Sequence, residues 1–493
     1  MNHAEIADTY RRHLPAGRLA HFRVDGLDRL GVPVVTARLA LPDGRAFEGI
    51  GYGATGDEAL VGALGELTEE VHCERALAAM PRVEASRAEL VARHGARAVA
   101  DPAALGLPAG SAWTERTPLL WVRAERIASG EPVLVPEAFA CDAVAQLRDR
   151  TAALVTPITN GLGAGLSRET ALAHGLLELL QRDGNVLAYR ALDQGIAIDL
   201  DAARDPALVA LVERYRAQGI EVVPKLASTE FGLANVYVVG AESTPLGELP
   251  LRLTACGEAA HPDRERALRK ALLEFAGSRA RKSFRHGPLD RVAAVAPPGY
   301  LDAALPGIDP HAEEPRALER MIEWLEADEV WLRGLLTARG VLAVRATRAL
   351  SSLPTVEPGA ADDAAARLAI VVERLAAAGL EPLCIDFSPP GGQVHAYRTI
   401  VPGLECETMS YHRIGERGVR RLLERGSPWV AVGTRRPGFA RVVLGPAAEA
   451  RLGGPAWLDT AAIDAAVDRL YPLYREPGGH SAQLAMARRR AAA

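Results

Sequence analysis

The chain has 493 residues, 48% of them hydrophobic, with a formal net charge of −5. That length is about three domains' worth, and the apolar content supports a substantial core, which excludes a disordered chain. The negative balance offers no global positive field for nucleic acid, and no apolar run reaches the roughly 20 residues needed to span a membrane.

In chain order, Val34 to Leu41 is strand-like, and Pro42-Asp43-Gly44 is a hairpin signal leading to a second strand. Gly51-Tyr52-Gly53 then opens a first helix. Residues 81–117 are expected to hold a helix and a loop, and Pro118 to Arg126 with Pro132 to Pro136 a hairpin. A second helix follows Thr159-Asn160-Gly161-Leu162-Gly163-Ala164-Gly165, with Ser167 as its cap. Strands are expected at Glu221 to Val223, Ala234 to Val239 and Leu249 to Ala255, before a third helix. Residues 288–315 are a Pro- and Ala-rich connector. Beyond it the expected elements are Pro315 to Ala327, Val341 to Arg345, Ala361 to Ala378, Pro382 to Asp386, Val394 to Val401 and Trp429 to Val432. The fold class is therefore α+β or mixed α/β.

One pattern recurs in the three helices and ends each time in glutamate: Ala59 to Leu67, Ala171 to Leu179 and Ala267 to Phe275. Ala or Gly stands seven and three positions before the Glu, and Leu six and two before it. Spacings of three, four and seven share one helical face, so Glu66, Glu178 and Glu274 each join a stripe of small side chains. A buried unpaired carboxylate is costly, and three in equivalent places imply a shared cation or ligand-bound cation. Glu66 and Glu69 lie one turn apart. The bland alternative for each is a solvated helix charge.

Cys73, Cys141, Cys256, Cys384 and Cys406 are scattered without a C-x-x-C pair, which argues against a structural zinc site or disulfide framework and fits a reducing cytosol. The start, Met-Asn-His-Ala-Glu, has neither a basic n-region nor an apolar h-region, so no signal peptide is expected and the expected location is cytoplasmic. Gly161, Gly163 and Gly165 could cradle phosphate or simply form a tight turn. His261 is expected in a cap and His174 to pack beside Glu178. Arg182-Asp183 fits a plain ion pair or helix-end charge.

From Asp28 to Arg417 the chain resembles the YcaO family of ATP-dependent enzymes that activate peptide backbone amides. The resemblance rests on D-R-L-G-V-P (Asp28 to Pro33), Leu120-Trp121-Val122, T-N-G-L-G-A-G (Thr159 to Gly165), E-L-L-Q-R-D (Glu178 to Asp183), A-H-P-D-R-E-R-A-L (Ala260 to Leu268) and V-P-G-L-E (Val401 to Glu405), in the family's order. It implies a YcaO-like core over residues 1–417, with three nucleotide-facing helices, and a C-terminal helical appendage over 418–493. It implies ATP and Mg2+ as cofactors. Glu66, Glu69, Glu178 and Glu274 would hold the metal, and Asn160, Gln181 and Arg279 would also face the nucleotide.

The chain departs from the family pattern at five places. Tyr52 stands where Lys is usual, Gly62 for Ser, Glu70 for Arg, Gln181 for Glu, and Gly277 for Gln. No proline-rich tail or cysteine-rich recognition domain is seen, which tips the reading toward a thioamide- or amidine-type product over an azoline. The resemblance implies a peptide substrate and a separate partner protein for peptide delivery or sulfur transfer, without nucleic acid or membrane. Homodimerisation is the default for a soluble enzyme of this size. The competing expectation is a degenerate member without ATP turnover, acting as a peptide- or partner-binding scaffold.

Overall fold

The computed structural model describes residues 1–150, 153–186, 192–201, 203–242, 249–405 and 412–492; Cys406 lies outside them. Its organising motif is a strand feeding a helix, used three times. Strand β1 (Ala46–Tyr52) leads to helix α1 (Gly56–Ala79), β2 (Leu162–Gly165) to α2 (Arg168–Asn185), and β3 (Cys256–His261) to α3 (Arg264–His286). Each helix starts on a side-chain cap that satisfies an orphan backbone N–H. Thr55 accepts from the Glu58 N–H, Ser167 from that of Thr170, and Asp263 from those of Glu265 and Arg266.

The small residues of the repeat face glycines on the strands. A Cβ on Gly51 would stand 2.1 Å from the carbonyl oxygen of Ala59, and one on Gly163 2.1 Å from that of Ala171. On Gly257 it would stand 1.8 Å from that of Ala271. Strand and helix backbones are thus in contact, a closeness that requires glycine on one side and small side chains on the other. Leucines on both sides of the stripe, including Leu64, Leu67, Leu176, Leu179 and Leu272, are buried in the flanking cores.

The three units close into a ring. Helix α1 packs on β1 and reaches β2, α2 packs on β2 and reaches β3, and α3 packs on β3 and reaches β1. Each strand belongs to a different sheet. β1 ends an antiparallel three-stranded sheet with Arg18–Arg23 and Val34–Ala40. β2 edges a six-stranded sheet beside His395–Ile400, Leu383–Asp386, Pro118–Arg126 and Val83–Ser86. β3 edges a five-stranded sheet beside Ala234–Glu242 and Ile220–Ser228.

Several expectations shift. Leu249 to Ala255 is not a strand: Pro250–Thr254 forms a 3-10 turn, and the strand is the next segment, β3. Pro250 has no N–H for a ladder, and Leu249, Leu251 and Leu253 instead enter a core with Met321 and Trp324. The strand placed at Val341 to Arg345 falls at Ala346–Ala349, after a helix at Glu329–Ala338. Val83–Ser86 is an added strand. The first helix starts at Gly56, so Gly51 and Tyr52 lie in β1. The C-terminal region is mixed rather than helical: Val430–Val432, Ala456–Leu458 and Ala440–Arg441 form an antiparallel sheet. No described helix is long and apolar enough to cross a membrane.

Candidate functional site

The ring converges on a cleft walled by the ends of the three glutamate stripes. Each carboxylate is anchored through one oxygen. Glu66 Oε2 accepts from the Ile50 N–H at 2.8 Å, and Glu178 Oε2 from the Gly161 N–H at 2.8 Å. Glu69 Oε1 accepts from the Ala164 N–H at 2.8 Å, and Glu274 Oε2 from the Tyr52 hydroxyl at 2.8 Å. The other oxygen of Glu178 pairs with Arg182 Nη2 at 3.5 Å.

Glu66 is open to solvent although protein surrounds it, which marks a concave wall. Burial raises its pKa, with the Ile50 N–H, Arg281 and Arg285 opposing and Glu178 adding to the rise. Burial also pushes Glu69 well above the carboxylate range, reinforced by Glu66 and Glu178. Glu274 is raised to about 7, by burial first, with Lys270 opposing. These groups repel one another, and a bound dication would relieve all of them at once. Among the described residues no ready cage of three such side chains exists. Mg2+ keeps waters and takes phosphate oxygens beside one or two carboxylates. The donor set is all hard oxygen, so it fits Mg-ATP.

The other expected site residues divide. Asn160 lies beside the Glu178 anchor and lines a pocket with Ile158, Leu179 and Arg398. Gln181 is buried and its Nε2 donates to Glu258 Oε2 at 3.4 Å. Arg279 is not brought to the carboxylates. It lies 1% exposed, in a bidentate pair with Asp28 at 2.9 Å and paired with Glu242. Five positions after Glu274, it leaves the cleft stripe.

The stripe itself continues through Lys270, Glu274, Gly277 and Arg281, spaced by four, three and four. Lys270 acts on Glu69 and Glu274, and Arg281 feels Glu66 and Glu274. Helical spacing from Glu274 could have found both. Glu258, the residue after the contact glycine of β3, was also missed; it accepts from Arg182 Nη1 at 2.9 Å and Asn185 Nδ2 at 3.0 Å. His174 lies in the cleft beside Glu178 and Lys270, and burial lowers its pKa to about 4, so it is neutral at pH 7. His261 accepts from the Asp263 N–H, as a cap residue should. Asp183 forms ion pairs with Arg417 and Arg421. Glu405 accepts from the Gly415 and Gly418 N–H groups, a structural task.

Two departures from the family pattern occupy one space. The Tyr52 ring lies over Gly277, where a Cβ would stand 2.9 Å from the ring. A side chain at 277 and a tyrosine at 52 exclude each other.

Carboxylates with cationic side chains on one wall are the chemistry that takes an anionic ligand bound to a hard cation. Comparison with known proteins gives the family. The model described as "YcaO cyclodehydratase, ATP- and Mg2+-binding" matches residues 50–405, and the chain belongs to the YcaO family. ATP and Mg2+ are the cofactors of this class. A relative from Methanothermobacter thermautotrophicus, described as an uncharacterized protein, is 30% identical over 396 residues, covering 79% of this chain and 90% of its own. YcaO from Methanopyrus kandleri, solved with AMPPCP and Mg2+, shares the fold at TM-score 0.56 and 22% identity, covering 83% of this chain and 91% of its own. A heterocyclase in complex with substrate and cofactor shares it at TM-score 0.63 and 17% identity, covering 86% of this chain; the match spans only 55% of that heterocyclase.

Proposed function

We propose that this protein uses Mg-ATP to activate a backbone amide of a ribosomally made peptide by O-phosphorylation. The reading is supported by the closed ring, in which Glu66, Glu69, Glu178 and Glu274 each accept a hydrogen bond from a neighbouring strand or turn. Bound Mg-ATP would supply the phosphoryl group that makes the amide oxygen a leaving group. Glu66, Glu69 and Glu178 would hold the metal, Glu274 would complete the set, and Lys270 and Arg281 would face the phosphates with Asn160 near the nucleotide.

A peptide substrate is supported by the folds it resembles, among them the E. coli microcin synthetase complex with its pro-microcin bound, at TM-score 0.50 and 15% identity. A separate partner protein is supported by that complex. The nucleophile sets the product: a side-chain thiol or hydroxyl gives an azoline, sulfide a thioamide, an amide nitrogen an amidine. The family description favours cyclodehydration. Mass spectrometry separates loss of water from exchange of oxygen for sulfur.

The test is calorimetric titration with Mg-ATP beside a Glu178→Ala control. Binding that vanishes in the control supports the reading. Folded protein that binds no nucleotide at millimolar ATP refutes it. A scaffold without ATP turnover would then lead, a reading favoured by the Tyr52 hydroxyl already bound to Glu274.

A further inference from the structure

The loop Arg475 to His480, far along the chain from the ring, is docked on the end of α3. The Gly478 N–H and Ser481 hydroxyl donate to Glu313 at 3.0 and 2.6 Å, and the His480 N–H donates to the Arg285 carbonyl at 2.6 Å. Pro477 and His480 are buried, and His480 packs edge-on against Phe284 and Tyr300. This seat holds one carboxylate against three cation-type side chains of α3. Glu476 accepts from Arg281 Nη1 at 2.7 Å and Nη2 at 3.1 Å, pairs with Lys282 Nζ at 2.7 Å, and meets His286 Nε2 at 3.2 Å.

Arg281 stands seven positions after Glu274, on the same helical face, and its side chain keeps 32% of its surface exposed. A bidentate carboxylate fixes the plane of the guanidinium, which a long side chain would otherwise sample freely. We propose that Glu476 is a positioning residue of the cleft: it fixes Arg281 on the wall shared with Glu66 and Glu274, so that the remaining guanidinium N–H groups meet the phosphates of Mg-ATP. The inference rests on the nucleotide reading given above.

The test is a double-mutant cycle on the full chain, read by Mg-ATP calorimetry: wild type, E476Q, R281A and R281A/E476Q, with E178A as the site control and thermal melting as the fold control. E476Q is expected to weaken binding about tenfold, the size of one lost charge-assisted contact, and to add nothing in the R281A background. E476D is expected to recover part of the affinity. Equal affinity of E476Q and wild type, or the same loss in both backgrounds, overturns the proposal. If E476Q melts far below wild type, E476D against R281A/E476D carries the same decision. Folded wild type that binds no Mg-ATP removes the nucleotide reading, and this inference falls with it. Loss in E178A with none in E476Q removes this inference alone.

Discussion

The Tyr52 hydroxyl donates to Glu274 at 2.8 Å, joining β1 to α3 across 222 positions. It is one of three links that close the ring. The Ala164 N–H of β2 donates to Glu69 of α1, and Arg182 of α2 donates to Glu258 of β3. Each helix therefore reaches the strand of the next unit through a carboxylate. The cleft sits where these links meet, so its geometry depends on all three units at once.

Tyr52 and Gly277 form a coupled pair, because the ring fills the space a side chain at 277 would need. Gly277→Gln alone is expected to destabilise the fold by about 1–3 kcal/mol through overpacking. Tyr52→Lys removes the ring, so Tyr52→Lys/Gly277→Gln is expected to cost less than the sum of the single changes. Urea unfolding of the four proteins measures the coupling. Strict additivity would show that the two positions do not share space in solution.

The pH response of the ligand-free protein follows from Glu274, raised by burial from 4.5 to about 7. A carboxyl with a raised folded pKa holds its proton longer in the folded state, so stability falls as pH climbs from the unfolded value to the folded one. Glu70, also raised to about 7 by burial and then by Asp142, adds in the same direction. Their joint contribution to the melting temperature of the apo protein is expected to decline between pH 4.5 and 7. His72, His174, His261 and His480, which burial lowers to about 4, act in the opposite sense, so the difference between wild type and Glu274→Gln is the quantity to read. Glu274→Gln should flatten that decline, and Mg-ATP should offset it by stabilising the ionised carboxylates. A melting profile of Glu274→Gln parallel to wild type would reject this account.

The three glutamate helices were legible because their small-residue stripes have a helical period and a reason: each faces strand glycines at backbone contact. Glu66, Glu178 and Glu274 end those stripes, whereas Glu69, one turn on, was singled out only through the family resemblance. What the sequence hid was direction. Arg279 and Arg281 differ by two positions, yet one turns to Asp28 and Glu242 and the other to the cleft and Glu476. Asp28, Glu242 and Glu476 are all distant in sequence from the arginines they pair with, so no local spacing marks them. β3 was hidden because Cys256 to His261 is rich in Gly and Ala. These residues have low strand propensity and are used here for close helix packing.

That difference of direction separates two arginine substitutions. Arg279→Ala takes the bidentate partner from buried Asp28, which keeps only Arg252 at 3.9 Å, and one of two cations from buried Glu242, which keeps Arg29. Removing one partner of a buried ion pair costs about 3–5 kcal/mol. Arg279→Ala is therefore expected to lower the melting temperature sharply, while Arg281→Ala, on a half-open wall, leaves it close to wild type and weakens Mg-ATP. An Arg279→Ala protein that melts like wild type but fails to bind nucleotide would return Arg279 to the cleft.

Glu178→Gln isolates the metal. The Gly161 N–H donates to Glu178 Oε2, and a glutamine oxygen can accept the same hydrogen bond, so the local turn keeps its partner. The charge is lost, and with it both the repulsion on Glu66 and Glu69 and the ion pair with Arg182 at 3.5 Å, which offset each other. The apo protein is thus expected to be about as stable as wild type. Nucleotide binding should fall because Mg2+ prefers charged oxygen donors, by about tenfold or more if one carboxylate–metal contact is lost. Removing Mg2+ with EDTA should bring wild type down to the level of the variant, and the variant should respond little to added Mg2+. Calorimetry of ATP with and without Mg2+ on both proteins decides it: nucleotide affinity in Glu178→Gln that rises with Mg2+ as steeply as in wild type would take Glu178 out of the metal site and leave it as an anchor of the β2 turn.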